Sequence, residues 1–186
     1  MANKDAAFGL KAIGKVGQNR DNQGLSEYSI AASATAIYQW DPVEMLATGT
    51  IGVAAAGDVL IGSLNGVFYT DASTSKPTWA NHLAASNTAT DIVGFISDDP
   101  YERFEVQSAG TVAAADIGLC ADISYAAGSS PDYISKTEIS GTMAAAAAQL
   151  KIIGVSKDPD NDELGAANAN VVVIINEHFL KQTAGI

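Results

Sequence analysis

The longest run of large aliphatic residues in this chain is Val171 to Ile175, five residues. The other apolar runs are short too, and turn signals cut them off. A helix that buries one face needs apolar residues at three- and four-residue spacing over about ten positions or more. Runs of about four to eight residues bounded by Gly, Asn, Asp or Pro suit strands instead. The punctuation therefore predicts an all-β protein.

The pattern can be followed along the chain. Tyr28 and Ile30 alternate with Glu27 and Ser29, and Ile37 to Trp40 ends at Asp41-Pro42. Val59-Leu60-Ile61 and Val67-Phe68-Tyr69 flank Asn65-Gly66, a dipeptide that favours the positive φ of a tight hairpin turn. Ile92 to Ile96 stops at Asp98-Asp99-Pro100, and Phe104 and Val106 alternate with Arg103, Glu105 and Gln107 as in a half-buried strand. Ile117 to Ile123, Tyr133-Ile134, Ile152 to Val155 and Val171 to Ile175 follow. About ten short strands with regular turns point to a small β-barrel or β-sandwich. At most one or two short helices are expected, the best being the alanine-rich stretch from Thr142 to Lys151. Residues 71–90 are polar and turn-rich and read as a long excursion that includes Trp79.

Three segments echo one another. Gly49-Thr50-Ile51, Gly110-Thr111-Val112 and Gly141-Thr142-Met143 each lead into alanines and then a buried strand. They suggest related hairpin modules in one β domain.

Residues 1–25 differ in texture. Gly9, Gly14, Gly17 and Gly24 recur there, and Phe8, Leu10, Ile13 and Val16 fit neither a helical nor a strand period. The predicted division is an extended N-terminal arm over 1–25 and one β-rich domain over 26–186. Charge is uneven as well. Net charge is −11. Lys4, Lys11, Lys15 and Arg20 against Asp5 make residues 1–20 net +3, which leaves −14 for the remainder. A basic arm on an acidic body can dock on an acidic neighbour, a second copy included. The expected partner contacts are therefore Lys4, Phe8, Leu10, Lys11, Ile13, Lys15, Val16 and Arg20, together with Trp79. The acidic balance disfavours nucleic acid. No apolar run approaches the roughly 20 residues of a membrane span, and the N-terminus has no signal-peptide h-region.

Motifs for chemistry are weak. Gly9 to Val16 nearly matches a phosphate-binding loop, but Val16 replaces the Ser or Thr and no strand can precede it. Asp158, Asp160 and Asp162 alternate like the first half of a calcium loop. Glu163 stands where the loop needs Gly, and Ala169 where it needs Glu. A looser calcium site on the three aspartates is the only metal candidate. His82, His178 and the single Cys120 carry no enzyme signature, and Cys120 suits a buried strand. Glu102 and Glu105 with Asp98 and Asp99 are the only carboxylates that invite a glycosidase reading. No catalytic residue and no cofactor are expected.

Asp41-Pro42-Val43, Gly49-Thr50-Ile51, the stretch from Ala54 to Gly62, and Ile152-Ile153-Gly154-Val155 resemble the decoration or cement proteins of tailed-bacteriophage heads. The opening MANKDAAFGLK and the late VVVIINEH resemble structural proteins of marine phages. The likeness covers about a third of the chain. It implies a non-enzymatic virion protein, made in the host cytoplasm, that binds the outer face of the major capsid protein lattice and stabilises the head, often as a homo-oligomer. The long 65–110 region and the basic arm depart from the smaller members. A tail, neck or fibre-associated module and a β-sandwich carbohydrate-binding module are the alternatives.

Overall fold

The computed structural model describes residues 2–17 and 24–182. The all-β expectation holds. The strands are β1 (Lys11–Lys15), β2 (Ser26–Ser29), β3 (Pro42–Met45), β4 (Ile51–Val53), β5 (Leu60–Thr70), β6 (Pro77–Ala80), β7 (Val93–Ser97), β8 (Glu102–Gln107), β9 (Cys120–Ala121), β10 (Ile123–Ser124), β11 (Glu138–Ile139), β12 (Leu150–Val155) and β13 (Asn170–Ile175). Among the described residues, helix is confined to two single 3₁₀ turns, Ala114–Asp116 and Phe179–Lys181.

Two antiparallel sheets organise these strands. One has the order β1-β8-β13-β12-β9. The other runs β2-β7-β5-β3-β4, with β6 also paired to β5, and β10-β11 form a small separate ladder. The second sheet comes from one continuous stretch, 26–97. The first is built from both ends of the described chain, because β1 pairs antiparallel with β8, Lys11 opposite Glu105 and Lys15 opposite Glu102.

Each sheet has its own apolar cluster. Phe104 and Val106 of β8, Leu150 and Ile152 of β12, and Val171, Val173 and Ile175 of β13 fill the first. The alternation read in the sequence places them there. Ile61, Leu64 and Val67 of β5, Val43 of β3 and Ile96 of β7 fill the second. Neighbouring Leu60 and Ile61 serve different clusters. Buried Gln149 ties the parts together: its Nε2 donates to the Ala55 and Asp58 carbonyls and its Oε1 accepts from the Ile123 amide.

Three local expectations are corrected. Asn65-Gly66 makes no hairpin. β5 runs through it unbroken with a bulge, and Gly66 lies opposite Phe95 on β7. Thr142 to Lys151 is not helical. Five alanines give a helix little apolar face to bury, and tertiary bonds win. Ala144 exchanges two backbone bonds with Cys120 at 2.9 Å each, and Leu150 opens β12. Residues 71–90 are no free excursion. Asp71 caps a turn by accepting from Ser73 and Thr74, β6 returns along the end of β5, and Leu83 is buried against Ile37.

The echo survives as a loop device. Asp58 accepts from the Ala55 amide at 2.7 Å, and Asp116 from the Ala113 amide at 2.8 Å, so two of the alanine loops close the same way. Gly110 and Gly141 pack backbone to backbone, leaving no room for a Cβ at either.

The largest correction concerns the predicted arm. Residues 2–17 lie on the body. Leu10 is fully buried in the first cluster, and its amide donates to the Trp40 carbonyl at 2.9 Å. Gly9 has φ +79°, and a side chain there would strike the Trp40 carbonyl and Ser135. The segment fits neither period because only Gly9 and Leu10 are buried, against the Trp40 and Ser135 loops, before the chain joins the sheet edge as β1.

Candidate functional site

The described partner candidates fall into two groups. In the N-terminal segment, Leu10 is core and unavailable to a partner. Phe8 packs edge-on against Trp40, centroids 6.5 Å apart, and the Lys11 ammonium sits 5.6 Å over the same indole. Lys4 pairs with Asp160, and Lys15 with Asp99. Each aspartate holds its lysine's pKa above the usual value, mainly through the hydrogen bond. Two of the four basic residues expected to reach a partner are thus paired within the chain. Ile13 and Val16 stay exposed, at 40% and 48%. Arg20 lies outside the described residues.

Trp79 stands apart. It is 58% exposed, the most exposed large hydrophobic among the described residues after Tyr101. It lies on β6, directly opposite Phe68 of β5, which is also exposed. Its indole rests 4.7 Å from the Phe95 ring of β7 and crosses Gly66, where a Cβ would come within 2.9 Å of the ring. Val67 and Ile96 beside these residues point to the core. Three aromatic side chains from three strands therefore share the solvent face of a rigid sheet. An aromatic already immobilised by its own neighbours loses little side-chain entropy when a partner covers it. Phe68 and Phe95 were not singled out in the sequence. The in–out alternation of Val67 and Phe68 was the signal for the first. Phe95 was hidden inside an apolar run.

The acidic calcium candidate is used by the chain's own N-terminus. Lys4 takes Asp160, Asn3 donates to the Glu163 and Ala167 carbonyls, and Asn161 donates to the Lys4 carbonyl. Asp158 accepts from the Asp160 amide and from Asn170. Among the described residues no three His, Cys, Asp or Glu side chains converge as a metal site.

His82 is stacked on Tyr133 at 3.9 Å and 1°, with Tyr38 parallel at 6.2 Å, and burial lowers its pKa. His178 is fully buried and accepts from the Leu180 amide through Nδ1. Burial, helped by Lys181, pushes it down to about 4, so the ring is neutral at pH 7. Cys120 is buried. Glu102 and Glu105 are three apart on β8 and project to opposite faces, so of the two only Glu102 lies in a pocket with Asp98 and Asp99. Asp98 accepts from Ser26 and Tyr28, and Glu105 from Ser156. Buried Asp41 accepts from the Tyr38 amide through one oxygen, and the other has no partner. Burial pushes its carboxyl up to about 6, against the pull of the Tyr38 amide and of the nearby Ser135 hydroxyl, which falls short of a hydrogen bond.

The class defined by these features is an all-β, sandwich-like protein with Trp79, Phe68 and Phe95 grouped on one sheet face. Comparison with known proteins adds no narrower identity: no family model, no curated protein and no solved structure matches the chain.

Proposed function

We propose that this chain is a non-enzymatic structural subunit of a tailed-phage virion, a decoration or cement protein that binds the outer face of the major capsid protein lattice and stabilises the head. The observation that carries the reading is Trp79, held over Gly66 and against Phe95 on the open face of the β2–β7 sheet. A rigid, exposed indole flanked by a second exposed aromatic is the composition of a binding hot spot. A sheet pinned by two packed clusters presents it without reorganisation. In this reading the docking contact moves from the N-terminal segment to the Trp79 face, with neighbouring copies as further contacts.

The test is co-sedimentation with tailed-phage capsids stripped of their decoration protein, using the intact chain and Trp79→Ala. The expected result is saturable binding by the intact chain and at least about a tenfold weaker affinity for the variant. Equal binding by both would remove the face from the proposal, and no binding by either would remove the function. The same indole also favours a second reading, a carbohydrate-binding module, because a Trp face stacks on sugar rings. Trp79-dependent signal on a glycan array would turn the assignment that way.

A further inference from the structure

The solvent face of the second sheet carries charge as well as aromatic rings. Glu27 of β2 stands directly opposite Phe95 of β7, so the two side chains share that face, roughly 5 Å apart at Cβ. The alternation along each strand agrees. Glu27 and Ser29 are exposed, while Tyr28 between them packs on the second cluster. Phe95 lies between buried Gly94 and buried Ile96. Across the face the order is therefore Trp79 on β6, Phe68 on β5, Phe95 on β7 and Glu27 on β2. Glu27 takes part in neither of the two ion pairs of the described residues. A second carboxylate, Asp91, stands at the Phe68 end and accepts from the Thr70 amide. Lys76 lies in the turn before β6, bonded through its carbonyl to the Asp71 amide.

We infer that the Trp79 face takes an arginine side chain of its protein partner, the guanidinium lying on the Trp79 and Phe95 rings with its edge on the Glu27 carboxylate. The inference rests on the reading of this face as a docking surface, and it names the chemistry of the partner. Charge complementarity is the first support. The chain outside residues 1–20 carries −14, and a carboxylate borders the aromatic rings, so a basic patch is drawn to this face and an acidic one is repelled. The rings are the second. The face of an aromatic ring is negative, and an indole holds a cation better than a phenyl or phenol ring does. Arrangement is the third. The Trp79 and Phe95 centroids are 4.7 Å apart with the rings at 50°, and Glu27 lies on the other side of Phe95 from Trp79. A planar guanidinium stacks on a ring and still turns its N–H fork to a carboxylate at the ring's edge. An ammonium is a compact, strongly hydrated point and gains less from that pairing. The indole is already seated over Gly66, so the guanidinium meets a prepared surface.

The test is an NMR titration of the intact chain at low salt with the peptide acetyl-Gly-Arg-Gly-amide, reading the Trp79 indole N–H and the Glu27 and Phe95 amides. The same peptide with citrulline is the control, because citrulline keeps the shape of arginine and loses its charge. A lysine peptide is run in parallel. Saturable shifts are expected with the arginine peptide, at an affinity about threefold or more above that of the other two. Glu27→Gln should weaken arginine binding about threefold or more, and Trp79→Ala at least as much. Both are exposed positions, and circular dichroism checks the folding of each variant. No response to arginine, equal binding of the citrulline peptide, equal or tighter binding of the lysine peptide, or unaltered binding by Glu27→Gln would overturn the inference. Shifts with methyl glucoside and none with arginine would overturn it in favour of a sugar. Co-sedimentation with capsids separates this inference from the reading it rests on. Glu27→Gln should lose affinity there together with Trp79→Ala. A loss for Trp79→Ala alone keeps the docking face and overturns the arginine contact. Arginine preference in the titration without capsid binding keeps the contact and removes the capsid.

Discussion

The N-terminal segment and residues 71–90, which carry β6, look alike in sequence and end up opposite in structure. Both are polar, turn-rich and thinly apolar. In the first, Leu10 vanishes into the core, and the lysines pair with aspartates of the body. In the second, Trp79 stays in solvent although it has aromatic neighbours to rest on. The difference lies in what the backbone finds. Gly9, Leu10 and Val16 meet the carbonyls of Thr137, Trp40 and Tyr101, from loops distant in sequence. β6 meets only β5 beside it, so its outer side chains gain no cover. Basic charge and irregular spacing are thus compatible with integration, while an isolated Trp in a polar stretch marked the open surface.

The sharpest way to break the contrast is Leu10→Ala. A fully buried leucine in the first cluster should cost about 2–5 kcal/mol on truncation. Urea unfolding measures it, and a loss near zero would return the segment to the role of a loose strap. Asp41 probes the ground beneath that segment, since Leu10 bonds to the neighbouring Trp40 carbonyl. Its folded pKa of about 6 lies above the ordinary 3.8. The native state therefore prefers the protonated carboxyl. This contribution is complete below about pH 3.8 and is lost as pH rises through about 6. The two-unit shift corresponds to about 3 kcal/mol. Asp41→Asn should stabilise the protein by up to that amount at pH 7.5 and by little at pH 4, as read from unfolding curves at both values.

The second region gives smaller effects. Gly66→Ala places a methyl against the Trp79 ring and near the Ala80 carbonyl, and should cost about 1–2 kcal/mol while blue-shifting or broadening tryptophan fluorescence. Trp79→Ala should change stability least, by under about 1 kcal/mol, because the indole is mostly in water. A loss as large as that of Leu10→Ala would mean that the aromatic face is structural and would remove the distinction between the regions.

Much of the fold was legible. The strand alternation at Phe104 and Val106, the run Val171 to Ile175 and the boundaries at Asp41-Pro42 and Asp98-Asp99-Pro100 are local signals, and the structure follows them. What misled was also local. Asn65-Gly66 carries turn propensity, but β3, β6 and β7 all pair with β5 around it and pull the strand straight through. The alanines before Gln149 favour helix, but Gln149 itself is claimed by the 55–58 loop and by Ile123 of β10. Of the site, Trp79 was visible as a lone exposed aromatic. Its support from Phe95 and Gly66 was not, since cross-strand register is a tertiary fact.

Native-state hydrogen exchange at the Gly9, Leu10 and Val16 amides tests most directly whether the N-terminal segment belongs to the body. Their acceptors lie at 3.1, 2.9 and 2.9 Å. Protection of all three at the level of the β8 and β13 amides is the expected result. Exchange at the rate of an unstructured peptide, with β8 and β13 still protected, would contradict it and restore the segment as a free arm.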